Sequence, residues 1–143
     1  MTAYDQALAE LDRTRERVIA LKPQFDFAET IAAEFPDLHP SVSGGSSSWV
    51  WLNTVTKSLR EVQPLLAAIV RGGYHPQGRN DYTDEAVPRC TYGFSTARNG
   101  YGGNGIIVNV NLSSGEGGCR FEQVGEKTVP ILKIVCDDGE GEP

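Results

Sequence analysis

Four arginines and four tyrosines alternate through one stretch of this chain. Between Arg71 and Gly105 the sequence reads RGGYHPQGRNDYTDEAVPRCTYGFSTARNGYGGNG, which sets Arg71, Arg79, Arg89 and Arg98 among Tyr74, Tyr82, Tyr92 and Tyr101. A guanidinium fork takes a carboxylate or phosphate through two parallel hydrogen bonds, and a tyrosine offers a rigid stacking surface with a hydroxyl handle. His75, Asn80 and Asn99 add polar groups, and the glycines let backbone approach a ligand closely. This vocabulary suits an anionic, partly aromatic ligand such as a nucleotide, or a protein hot spot. Tyr92 alternates with Cys90 and Phe94 and reads as core. Arg79 and Arg89 have Asp81, Asp84 and Glu85 as surface partners, an arrangement worth little. Tyr74, Arg79, Tyr82, Arg98 and Tyr101 are the expected ligand-binding residues.

Motifs for other chemistries fail on context. Gly100, Gly102 and Gly105 satisfy GxGxxG, but the run opens the strand-like segment from Ile106 to Leu112. A dinucleotide fingerprint must follow a strand and open a helix, whose N-terminus then receives the pyrophosphate. The Gly125, Glu126, Lys127, Thr128 sequence lacks the adjacent GK of a phosphate loop and reads as a hairpin turn. His39 and His75 are the only histidines, and no GxSxG elbow accompanies them. Cys90, Cys119 and Cys136 lack CxxC spacing, are odd in number and sit at apolar strand positions, so they read as buried thiols. Neither a metal site nor a cofactor is expected, and no residue is assigned a catalytic role.

The elements that would position the arginines and tyrosines follow from hydrophobic period. Thr2 and Asp5 have capping-box spacing at the start of a first helix whose stripe includes Tyr4, Leu8, Leu11 and Val18. Pro23 ends it. A second short helical piece, with Asp26 as its cap, carries Phe27, Ile31 and Phe35 and stops at Pro36. Residues 36–47 are rich in proline, glycine and serine and read as a flexible loop. Leu52, Val55, Leu59, Val62, Leu66 and Ile69 then recur at the 3-4 spacing of a long helix, capped by Ser47 or Ser48 and stopped by Gly72 and Gly73. Pro64 should kink that helix, and the first helix is its expected partner. From Arg89 the period becomes two. Cys90, Tyr92 and Phe94 mark one strand, and Ile106, Val108, Val110 and Leu112 a second, with Asn109 and Asn111 on its opposite side. Cys119 and Phe121 mark a third. The fourth, Thr128 to Cys136, is apolar on both sides, which implies a covering partner. An acidic tail follows.

These readings give one domain over residues 1–143 of α+β class: N-terminal helices, in a helical half over 1–72, packed on a four-stranded antiparallel meander over 89–136 in two layers. Net charge is −6, and only residues 57–101 are locally basic, so direct nucleic-acid binding is disfavoured. No apolar run reaches a membrane-spanning length and no secretory signal is visible, so the expected location is cytoplasmic. The function these features favour is a non-catalytic, homo-oligomeric binding protein. It would be an inhibitor or sequestering factor, for example one encoded by a phage, that engages a small anionic ligand or a protein partner. The alternatives are a small enzyme acting on a nucleotide or phosphorylated metabolite, with His75 as its acid/base, and a structural subunit.

Overall fold

The computed structural model describes residues 1–44, 49–82, 88–97 and 105–113. The capping box forms: Asp5 N–H donates to Thr2 Oγ1 at 3.1 Å, and Thr2 N–H donates to Asp5 Oδ2 at 3.2 Å. It opens α1, Ala3–Ala20. The helix breaks one residue later, and α2 spans Lys22–Glu34 with Pro23 in its first turn, where a missing N–H costs nothing. Asp26 does not cap this helix. It lies inside it, and Lys22 Nζ donates to its carboxylate at 2.8 Å, which raises the lysine pKa chiefly through that hydrogen bond. After a 3-10 turn at Pro36–Leu38 comes β1, Ser41–Ser43, within the expected loop.

The long second helix of the sequence reading is not one element. Its first half is the strand β2, Trp49–Thr56; a 3-10 turn over Leu59–Val62 follows, and only Gln63–Arg71 is helical, as α3. The residues explain why. WVWLNTVT is aromatic and β-branched, and Val50, Leu52, Thr54 and Thr56 are all buried while their alternates are not. The threonines disguise this period of two as polar breaks, while Leu52 and Val62 match a helical period by chance. Pro64 does not kink a helix; it falls in the first turn of α3, where its fixed φ suits the start of a helix. Gly73, at φ +100, ends α3 as expected of a glycine stop.

Three further strands complete a five-stranded sheet among the described residues: β3, His75–Tyr82; β4, Arg89–Ser95; and β5, Gly105–Leu112. The order is β1-β2-β5-β4-β3. β2 and β5 are parallel and every other pair is antiparallel, so the sheet is mixed rather than a four-stranded antiparallel meander. The two strands read from Cys90 and Ile106 are present as β4 and β5 and pair as expected. The expected third and fourth strands and the acidic tail lie outside the described residues.

The sheet has two different faces. On one, Leu52, Cys90, Phe94, Ile106, Val108 and Val110 meet Ile31 of α2 and Leu65, Leu66 and Ile69 of α3 in a single core. Full burial of a side chain such as Leu52 or Ile69 contributes about 1.5–3 kcal/mol. α1 takes no part. None of its residues is buried, so it is not the partner expected for the segment that contains α3. α2 and α3 cover the sheet instead.

Candidate functional site

The face turned away from α2 and α3 carries the alternate residues of each strand. Register sets Asn53 of β2 beside Asn109 of β5, Arg89 of β4 beside Asn111, and Tyr82 of β3 beside Arg89. Their side chains are linked. Arg89 Nη1 donates to Asn109 Oδ1 at 3.1 Å, Asn109 Nδ2 donates to Asn53 Oδ1 at 3.1 Å, and Asn53 Nδ2 donates to Ser43 Oγ of β1 at 3.3 Å. The Arg89 guanidinium also lies over the Tyr82 ring, 4.1 Å from its centre. One polar row thus crosses all five strands, and every donor in it points toward β1. Hydrogen bonds aligned in this way polarise one another.

Both asparagines and Arg89 are half-buried, so they are partly desolvated and still within reach of a ligand. Carboxamides present a donor and an acceptor on one flat group, the guanidinium adds charge, and the tyrosine adds a stacking surface. Trp51, next to Asn53 on the same face, is half-buried too. Nearby, the Trp49 ring lies flat across Gly105, occupying the space a Cβ would need. The parallel partner of Trp49 is Gly105 itself. A cross-strand aromatic on glycine is a recognised way to shield a side-chain-free position in a sheet.

The structure does not bring the five expected ligand residues together. Tyr74 is in the core, stacked on Phe27 with ring centres 4.9 Å apart, and burial pushes its hydroxyl pKa up. Arg79 pairs with Tyr92 across β3 and β4 on the helix-covered side. It is held by Asp81 through Nε to Oδ1 at 2.6 Å and Nη2 to Oδ2 at 3.1 Å. That carboxylate raises the pKa of the guanidinium. Tyr82 is on the opposite face, in the polar row. Arg98 and Tyr101 lie outside the described residues. Of the five, only Tyr82 is seen in the row.

Arg89 is the arginine of the row, and its partner among the described residues is Asn109; Asp84 and Glu85 lie outside the described residues. Asn109 was visible as the polar alternate of an apolar strand. Asn53 was hidden inside the presumed helix, so the row had no second member. His75 opens β3 opposite Ser95, on the polar face and half-buried. Gln77 Nε2 donates to the His75 backbone carbonyl at 3.2 Å, and no hydrogen bond to the imidazole is found among the described residues. Cys90 is a buried thiol on the core face; Cys119 and Cys136 lie outside the described residues. Among the described residues no three His, Cys, Asp or Glu side chains gather in a way that could hold a metal ion. No helix among them is long and apolar enough to cross a membrane.

Comparison with protein-family models, with curated proteins and with solved structures finds no match to this chain.

Proposed function

We propose that the protein is a non-catalytic binding protein that holds a small anionic ligand with a flat ring, of the nucleotide kind, against the polar face of its sheet. The observation that carries this reading is the row of Ser43, Asn53, Asn109 and Arg89, with Arg89 stacked on Tyr82. Half-buried amides placed edge to edge by strand register are held in fixed orientation before any ligand arrives. Such preorganisation reduces the ordering cost of binding. The guanidinium would meet the anionic group, the amides would read donors and acceptors, and Tyr82 would stack beside the ring. An inhibitor or sequestering factor needs no more than this.

Native mass spectrometry of the protein purified from its host is the direct test, followed by titration with nucleotides. The expected result is a non-covalently retained small ligand. Arg89→Ala removes a charge-assisted hydrogen bond and weakens that ligand by about 10- to 100-fold. His75→Ala leaves binding and the biological effect intact. Unchanged affinity in Arg89→Ala overturns the placement of the site. Loss of the biological effect in His75→Ala, with binding retained, transfers the case to the enzyme reading, whose acid/base is that histidine.

A further inference from the structure

α1 is an eighteen-residue helix without a buried residue, yet it is amphipathic. Tyr4, Leu8, Leu11 and Ile19 are 72%, 44%, 65% and 60% exposed. Tyr4, Leu8 and Leu11 follow one another at the 4-3 spacing of a helical seam, and one turn further along the same seam stands Arg15. In proteins most helical stability comes from packing an amphipathic face rather than from propensity, so an exposed apolar stripe calls for a partner. The charges along the helix say which. Its first half carries Asp5, Glu10 and Asp12, and its second half carries Arg13, Arg15 and Arg17 against one acid, Glu16. Such a helix is complementary to itself run in the opposite direction.

We propose that α1 pairs antiparallel with α1 of a second copy of this chain. With Leu8 of one helix opposite Leu11 of the other, the four leucines form the centre of the seam. Arg15 then falls opposite Tyr4 of the second copy and one residue from its Asp5, so the arginine finds an aromatic face and a carboxylate. A parallel pair would set Arg15 against Arg15 inside the seam, and Asp12 against Asp12 beside it. The polar row of the sheet is not involved, so this pairing is independent of the proposed ligand site.

Sedimentation of the full chain over about 1–200 µM tests the pairing, because association must follow mass action. The mass should rise from 15.5 kDa toward twice that value. The helical circular-dichroism signal should grow with it, as α1 is ordered by its partner. Leu8→Lys with Leu11→Lys, both on exposed positions, should leave the thermal transition of the dilute protein unchanged and abolish the rise in mass. Arg15→Glu faces Asp5 of the second copy and should weaken the dimer by about tenfold or more. A single-chain mass throughout the range overturns the proposal. So does a dimer that survives the double lysine substitution, which must use another surface. A dimer as tight in Arg15→Glu as in the unaltered protein overturns the antiparallel direction.

Discussion

Two amide sites in this protein, one half-buried and one fully buried, lie on opposite sides of one sheet and have opposite fates. On the polar side, Asn109 spends its Nδ2 on Asn53 and its Oδ1 on Arg89. On the helix side, Gln24 of α2, one turn from Leu21 and Ala28, is 1% exposed, and neither of its amide atoms has a hydrogen-bond partner among the described residues. The first arrangement is a network, and the second is an uncompensated polar group in an apolar layer. Desolvation is the more complete at Gln24, and only the polar side returns its cost as hydrogen bonds. The helix-covered face therefore owes its stability to apolar burial, and the polar face owes its order to direction.

That contrast can be broken from either side. The largest effect is expected from Leu52→Ala, which leaves a cavity beneath α3 and should cost about 2–5 kcal/mol in chemical denaturation. A smaller loss would mean the core collapses onto the gap. Gly105→Ala drives a methyl into the Trp49 ring and should cost about 1–3 kcal/mol. Tryptophan emission should shift to the red as the indole lifts off the strand. Asn109→Ala leaves Asn53 and Arg89 without their shared partner and should cost about 1–2 kcal/mol, less than the leucine because water can reach the gap. An equal or larger loss would show that the polar face contributes as much stability as the core.

Gln24→Met should act with the opposite sign. Removing an amide with no hydrogen bond from the apolar layer is expected to raise stability by about 1 kcal/mol, read as a higher melting temperature. The smallest effect concerns alkaline pH. Burial raises the Tyr74 pKa above its ordinary 10.0, so the folded state holds that proton more tightly than the unfolded chain. The resulting stability is fully present below pH 10 and is lost as pH climbs through the raised value. Tyr74→Phe should flatten the decline above pH 10 while keeping the stack on Phe27. Tyr92, raised chiefly by burial as well, should account for part of the slope that remains.

How much of this was legible in the sequence depended on whether burial left a clean period. β4, and β5 from Val108 on, alternate apolar with polar or small residues, with apolar side chains toward the helices, and both were readable. β2 buries Thr54 and Thr56 while exposing Val55, so over its last three residues hydrophobicity runs opposite to burial. A helix was the natural misreading. β3 is an edge strand of sequence HPQGRNDY in which no residue is buried, and a strand that buries nothing leaves no hydrophobic signal. Its invisibility decided the fate of Arg79. In a loop that arginine is available to a ligand, but in a strand its side chain shares a face with Asp81 two residues on, and the two close on each other. The capping box of α1 was legible because it is local. Its lack of a buried face was not, because amphipathicity marks a helix that wants a partner without saying whether its own chain supplies one.

The parallel pairing of β2 with β5 has a consequence in time rather than in space. Asn53 and Asn109 are 56 residues apart in the chain, and no hairpin can bring parallel neighbours together. Closing so long a loop is an entropic cost met before any contact rewards it, which makes such pairings slow. A ribosome that has made the first hundred residues has made β1 to β4, with Ser43, Asn53, Tyr82 and Arg89, but Asn109, which links Asn53 to Arg89, does not yet exist. The polar row is therefore a late product of folding, complete only when β5 takes its place between β2 and β4.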